Sequence, residues 1–441
     1  MQEASKSNPI DNYPLKYSET NHNLSDSTNL KIYKPNEPYS DYPNCIYEKP
    51  LKGFEIIKAE SFEAIDSLRE DWKILLHKYH LSNVYITPDF YLRLFHSRAK
   101  GATPNIILFK KDNEPKAILV GWKLETKVPC KIGYIKTETP KLKSFEVEIG
   151  GLITSETQDS EKILEKYLCN LIKKKEVEMI SINHLAATNP CWQTIKGRSK
   201  INKKSVYRDS VKWKARIHDS NTGENFNLFS KKTEQTFRKK DRKLQKFFNN
   251  DLALKTITSP NDINIFIESA SLIDKNSYHK AMGISVEKDE HYHSMFSSMA
   301  KGGYFRGYIL EANSEPIAYY YGVLYEGMFY AFGTSYNSKF RKLSPGIYLL
   351  RRIIEILIDK DINVIHFGYG DSPYKRMFGT ESEEEATFRI YGSGIKALYS
   401  KFLDQTTLTT THKLSEFLDK LHVLNRIKKT WRNKMLHKKV V

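Results

Sequence analysis

The chain has 441 residues, a hydrophobic content of 40% and a formal charge of +18, with 70 Lys and Arg against 52 Asp and Glu. That length exceeds one ordinary core and predicts two domains plus tails, while the charge points either to an anionic partner (nucleotide phosphate, nucleic acid or acidic membrane) or simply to a basic, soluble surface. Four scattered cysteines without a CxxC pair argue against a disulfide framework or zinc site, and the lack of a signal-peptide pattern or of a run of about 18 apolar residues predicts a cytoplasmic protein without a transmembrane segment.

Residues 1–48, rich in Asn, Ser, Tyr and Pro, show no apolar periodicity and predict a disordered tail. Order is expected from a strand at Phe54 to Lys58, followed by a helix carrying Ile65, Leu68, Trp72, Leu75 and Leu76 at helical spacing. Thr87-Pro88-Asp89 starts another helix, with Pro in the first turn where its missing N–H costs nothing. Strands are predicted at 105–109, 116–124, 131–136, 147–153 and 179–183, with a helix at 163–172. This mixture closes a first domain over residues 49–218.

The second domain, 219–400, opens on Lys231 to Lys246, where eight basic residues face two acidic ones on a helix with a narrow stripe of Phe237, Leu244 and Phe247. It reads either as a solvated face or as a basic wall beside a phosphate-rich substrate. Helices near 260–275 and 288–301 precede strands at 305–311, 316–325 and 328–334. Asn313-Ser-Glu-Pro316 repeats the turn Asp112-Asn-Glu-Pro115, and with the matching element order it predicts a duplicated domain. Residues 401–441 predict a basic C-terminal helix that either docks on the second domain or rests on an anionic membrane or RNA.

The chemistry concentrates at 339–379. A basic loop, Lys339 to Ser344, leads into a helix at Pro345-Gly346, and the apolar spacing of Ile347, Leu350, Ile353, Ile354, Leu357 and Ile358 packs that helix on a sheet. Its N-terminus favours an anion, with Ser344 as N-cap, Arg341 and Lys342 supplying charge and Gly346 permitting close approach. A strand at 364–368 then ends in Gly368-Tyr-Gly-Asp-Ser-Pro-Tyr-Lys375, which exposes Asp371, Tyr374 and Lys375 at the same edge. Acyl transfer needs a base, a stabilised oxyanion and an acid for the leaving group. The turn offers Asp371, Lys375 and Tyr374 in those roles, or else Asp371 is structural. No HExxH, GxSxG or Walker pattern occurs, and no metal site is expected.

Residues from about 226 to 392 resemble the GNAT-fold acetyltransferase domain of CelD/BcsL-type cellulose-biosynthesis-associated proteins. The resemblance is carried by Phe237-Arg-Lys-Lys-Asp-Arg-Lys-Leu244, Pro316-Ile-Ala318, Phe340-Arg-Lys-Leu-Ser-Pro-Gly346 and Phe367-Gly-Tyr-Gly-Asp-Ser-Pro-Tyr-Lys375. The domain is also similar to that of Fem-type aminoacyl-tRNA-dependent peptidyltransferases, which pair two such domains. The resemblance implies an α/β (α+β) fold: two tandem GNAT-like domains, each a mixed, mostly antiparallel sheet flanked by helices. It further implies acetyl-CoA or another acyl-CoA as donor at Arg341, Lys342, Ser344 and Gly346. The usual GNAT loop reads Arg/Gln-x-x-Gly-x-Gly/Ala; here Pro345 contributes no N–H, and the donor is either CoA pyrophosphate or the acceptor end of a charged tRNA.

The expected activity is therefore N- or O-acyl transfer to a sugar, a sugar nucleotide or a lipid-linked cell-envelope or exopolysaccharide precursor held between the domains. Aminoacyl transfer from tRNA is the alternative, and a non-catalytic anion-binding module the second.

Overall fold

The computed structural model describes residues 42–79, 83–95, 101–132, 135–154, 158–197, 204–277, 279 and 285–420. Two short turns set its plan. Asp112 and Asn113 have φ of 54° and 61°, and Asn313 and Ser314 have φ of 49° and 62°. Paired left-handed residues match the right-handed twist of the strands they join, so each turn closes a tight hairpin. The echo read between the two halves of the sequence is thus also conformational.

Strands β1 (Ile46–Leu51), β2 (Phe54–Ala59), β3 (Thr103–Lys111) and β4 (Glu114–Thr126) run antiparallel to their neighbours. Helices Phe62–Ser67, Arg69–Lys78 and Pro88–Phe95 interrupt this run, and the last begins at Pro88 as its sequence requires. The predicted strand at 131–136 divides into β5 (Pro129–Ile132) and β6 (Ile135–Glu138), a hairpin outside the main sheet. β7 (Leu142–Thr154), helix Gln158–Lys173, β8 (Met179–Ala186), the short helix Cys191–Lys196 and β9 (Ser205–Arg216) complete the first half.

After the small pair β10 (His218–Asp219) and β11 (Glu224–Asn225), the second half repeats that order. Helix Lys231–Phe247 precedes β12 (Leu252–Ile257), helices Ile263–Lys275 and Glu290–Lys301, β13 (Phe305–Ala312), β14 (Glu315–Tyr325) and β15 (Met328–Tyr336). Helix Pro345–Ile358, β16 (Val364–Tyr369), helix Pro373–Phe378, β17 (Glu381–Tyr391) and helix Ile395–Lys420 follow.

The two halves share one 13-stranded sheet, ordered β1-β2-β3-β4-β7-β8-β17-β9-β16-β15-β14-β13-β12. At its centre each half gives the other a strand. β17, late in the chain, pairs with β8, while β9, from the first half, pairs with β16, and β9 and β17 pair with each other. The cores follow the exchange. Ala386, Phe388 and Ile390 of β17 pack with Ile163, Leu168 and Ile180, whereas Ala215 of β9 packs with Leu350, Ile353 and Ile365.

Among the described residues only β7–β8 and β15–β16 are parallel pairs, and both are short. One runs from Ser144↔Met179 to Val147↔Ile182, the other from Met328↔Val364 to Tyr330↔His366. Beyond those points each pair diverges, opening a gap in the sheet.

Several expectations need correction. Residues 46–48, assigned to the tail, begin β1, whereas 1–41 lie outside the described residues. Phe247 is 60% exposed, and its neighbour Phe248 is buried with Phe237 and Leu244 instead. The C-terminal helix starts at Ile395, before the expected 401, and is fixed by Asp404, a fully buried carboxylate that accepts from Arg208, Arg389 and the Tyr391 hydroxyl. Residues 421–441 of the predicted basic helix lie outside the described residues. No helix among the described residues is long and apolar enough to cross a membrane.

Candidate active site

The gap between β15 and β16 organises the site. A bulge in β15 sets Tyr321 against Gly333 and Gly322 against Ala331, leaving Phe332 as the extra residue. A bulge re-aims the side chains that follow it. Before it, Phe329 and Ala331 face the core under helix 345–358; after it, Thr334 and Tyr336 share that face with their partners Tyr320 and Ala318. Tyr330 and Phe332 point to the other side, toward helices 263–275 and 290–301. On the facing strand Gly368 has φ of 71°, and a Cβ there would sit 3.0 Å from the Ala331 carbonyl, so the turn needs glycine.

A cavity of about 410 Å³ lies on the helix side of the gap. Thr334, Tyr336, Arg341, Ser344, Gly346 and Tyr374 help to line it. Three of the four expected donor-binding residues thus meet; Lys342 is exposed on the same loop and does not line the cavity. Ser344 precedes helix 345–358 as expected, but with φ 56° and ψ 48° it makes no capping hydrogen bond through its side chain. Pro345 has no N–H, and the N–H groups of Ile347 and Tyr348 donate to the Ser344 carbonyl. The helix end therefore presents fewer donors than an open one, and the Arg341 guanidinium carries more of the attraction for an anion.

The expected catalytic trio separates. Tyr374 lines the cavity beside buried Tyr320, whose phenol is pushed well up by burial and by this neighbour. Lys375 is buried at the gap, its Nζ donating to the Tyr369 carbonyl at 2.6 Å; burial lowers its pKa to about 8, opposed by Glu385 and Asp371. Asp371 does not suit the base role expected of it. Its carboxylate accepts from Arg376 Nε at 2.7 and 2.9 Å and from Trp213 Nε1 at 3.2 Å, at the surface, and hydrogen bonding from Arg376 holds its pKa down.

The sheet's other side holds a cleft that motif reading missed. Two cavities of about 410 and 790 Å³ adjoin there, and both are lined by His184 and Ile149. Aromatic side chains dominate one end (Tyr85, Trp122, Phe332) with Glu146 and Glu148, whereas Lys212 and Lys214 line the other. His184 Nδ1 lies 2.7 Å from Glu385 Oε1, and its ring packs on Tyr369 with centroids 4.0 Å apart. His366, stacked on Tyr330, is buried, and burial with Lys212 and Lys214 nearby lowers its pKa to about 3; its Nδ1 accepts from the Gly368 N–H at 3.2 Å. No motif marks these residues, because strand pairing between distant segments brings them together. Among the described residues no group of three or more His, Cys, Asp or Glu side chains is arranged to hold a metal ion.

Residues 231–376 match the family model described as an acetyltransferase (GNAT) domain. The fold resembles the crystal structure of FemX, with a TM-score of 0.51 and 10% identity over 75% of this chain and 98% of that one. A tandem GNAT protein from the clavulanic acid biosynthesis pathway aligns with a TM-score of 0.44 and 12% identity over 77% of this chain and 99% of its own. No curated protein matches the sequence.

Proposed function

We propose that the protein is an acyltransferase that holds an acyl-CoA, most simply acetyl-CoA, on the helix side of the β15–β16 gap. The acyl group would pass through the gap to an acceptor on the opposite face. One observation carries this reading: a cavity lined by Arg341, Ser344 and Gly346 at a helix N-terminus opens beside a break in parallel strand pairing, with Lys375 at the break. In this arrangement Lys375 stabilises charge on the reacting carbonyl, and Tyr374 is placed to protonate the leaving thiolate.

The cleft supports the acceptor class. Aromatic faces and carboxylates suit a sugar ring, and Lys212 and Lys214 suit the phosphates of a sugar nucleotide or lipid-linked envelope precursor. A CelD/BcsL-type role in exopolysaccharide or envelope synthesis, carried out in the cytoplasm, is the corresponding biological setting.

Isothermal titration calorimetry with acetyl-CoA tests the donor; absence of binding sinks this version. Gly346→Ala sharpens the test, because a Cβ there meets only Tyr336 Cδ1, at an ordinary 3.5 Å. Protein packing thus does not demand this glycine, and alanine favours helix. The expected result is an unchanged or slightly raised melting temperature with donor affinity lowered about tenfold, on the order of 1.4 kcal/mol. Unchanged affinity would remove Gly346 from the donor site.

A second reading, aminoacyl transfer from tRNA, is favoured by helix 231–247. Its acidic residues Glu234 and Asp241 turn inward to Arg351. Lys231, Lys232, Arg238, Lys239, Lys240, Arg242, Lys243 and Lys246 are all exposed, and none pairs with an acid among the described residues. This face runs beside the loop that carries Lys339, Arg341 and Lys342, since Phe248 packs on Phe340 at 5.1 Å. Tight binding of charged tRNA that weakens steeply with salt would favour it over acyl-CoA.

A further inference from the structure

We propose that His184, oriented by Glu385, is the base that takes the proton from the acceptor nucleophile. The proposal rests on the acyl-transfer reading above, and it offers a proton acceptor in place of Asp371, whose carboxylate is engaged by Arg376. Four features single out the pair.

The first is the cost of the arrangement. Glu385 is 1% exposed, its Oε1 is held by His184, and its Oε2 is buried without a hydrogen-bond partner. A carboxylate kept only for stability would have both oxygens satisfied, because a poorly compensated buried charge costs several kcal/mol. The second is backbone strain. His184 has φ of 48°, a conformation unfavourable for a residue with a side chain, and such residues gather at functional sites. Its N–H is anchored by Thr387 Oγ1 at 3.2 Å, on the same exchanged strand as Glu385.

The third is access. The His184 side chain is 27% exposed, while its carboxylate partner is completely covered, and the imidazole lines both cavities of the cleft. A carboxylate only accepts hydrogen bonds, so Nδ1 donates to Glu385, and in the neutral imidazole Nε2 holds the lone pair. The fourth is position. The His184 ring packs on the Tyr369 ring with centroids 4.0 Å apart, and the Tyr369 carbonyl accepts from Lys375 at the gap, so Tyr369 links the imidazole to the strand that borders the donor's passage.

The step balances without a further reagent. The acceptor's N–H or O–H proton passes to Nε2 as its lone pair bonds to the acyl carbon, and the carbonyl π pair moves to oxygen. Collapse of that adduct breaks the carbon–sulfur bond. The thiolate takes up a proton, through Tyr374 or from water, and the imidazolium returns its own to solvent.

Two measurements decide the proposal. Selective ¹⁵N-histidine labelling, with His184→Gln used to assign the signal, should give an Nδ1–H tautomer for His184 that is lost in Glu385→Gln; an Nε2–H tautomer in the wild type overturns the dyad. Thiol release from acetyl-CoA, with water as the probe acceptor, is then compared in wild type and His184→Gln alongside calorimetric donor binding. The expected variant binds acetyl-CoA with unchanged affinity and releases thiol about 10²- to 10⁴-fold more slowly, the range for loss of a general base. A variant that binds the donor and releases thiol at the wild-type rate overturns the proposal. Failure of the wild type to bind acetyl-CoA counts against the donor reading instead, and the tautomer still decides the dyad.

Discussion

A chain stopped at residue 218 is expected to show no cooperative unfolding transition, although its sequence carries a complete run of strands and helices. The missing piece is β17, which lies between β8 and β9 in the intact sheet. Without it the edge of β8 is unpaired and Ala386, Phe388 and Ile390 are gone from the first core. A buried Phe or Ile contributes about 1.5–3 kcal/mol each, and a whole domain is stable by only about 5–15 kcal/mol, so this loss with its hydrogen bonds removes most of the margin. Residues 219–441 fail for the reciprocal reason, since β16 loses β9 and the second core loses Ala215 and Ile217. Produced together as two chains, the halves should associate one to one and melt as a unit. Calorimetry with light scattering reads both outcomes, and a monomeric 1–218 fragment with its own sharp transition would refute the exchanged architecture.

Replacing Lys375 by Met should separate stability from catalysis. Burial depresses this lysine's pKa to about 8, below the ordinary value near 10.4. The sign is fixed by proton counting. Between those two pH values the unfolded chain holds the proton and the folded protein does not, so stability rises with pH across that window, and the penalty for the buried charge is fully present below about pH 8. Lys375→Met removes the penalty and leaves the Tyr369 carbonyl without its donor, two effects that offset to within about 1–2 kcal/mol. Turnover, by contrast, should fall about 10²- to 10³-fold, the usual consequence of deleting an electrostatic stabiliser. Because the charged form does the work, wild-type activity should decline as pH rises through about 8, and that limb should vanish in Lys375→Arg, which keeps its charge. An undiminished rate in Lys375→Met would exclude the role.

Much of both halves was legible because its signals are local. Pro345, the apolar spacing of helix 345–358 and the paired turns at 112–113 and 313–314 each act over a few residues. The exchanged strands β9 and β17 were not. β17 reads Glu-Ser-Glu-Glu-Glu-Ala-Thr-Phe-Arg-Ile-Tyr, and its acidic start resembles a solvent loop until β9 places Lys212 and Lys214 across from Glu383 and Glu381. Charge alternation that is silent in one segment becomes a strand pairing only when its partner, more than 160 residues away, is known. The dyad hides for the same reason, since 201 residues separate His184 from Glu385. Asp371 is the converse case: its Gly-rich context marks the turn locally, but nothing nearby reveals that Arg376, five residues on, donates to its carboxylate.

The helix-side cavity and the His184 cleft lie on the two faces of one sheet. If the donor sits at Arg341 and the acceptor in the cleft, as proposed, each leaves the other's site uncovered, and no order of arrival is imposed. On the proposed reading, chemistry waits for both ligands at once in a ternary complex assembled in either sequence, with no acylated side chain carrying the group between them.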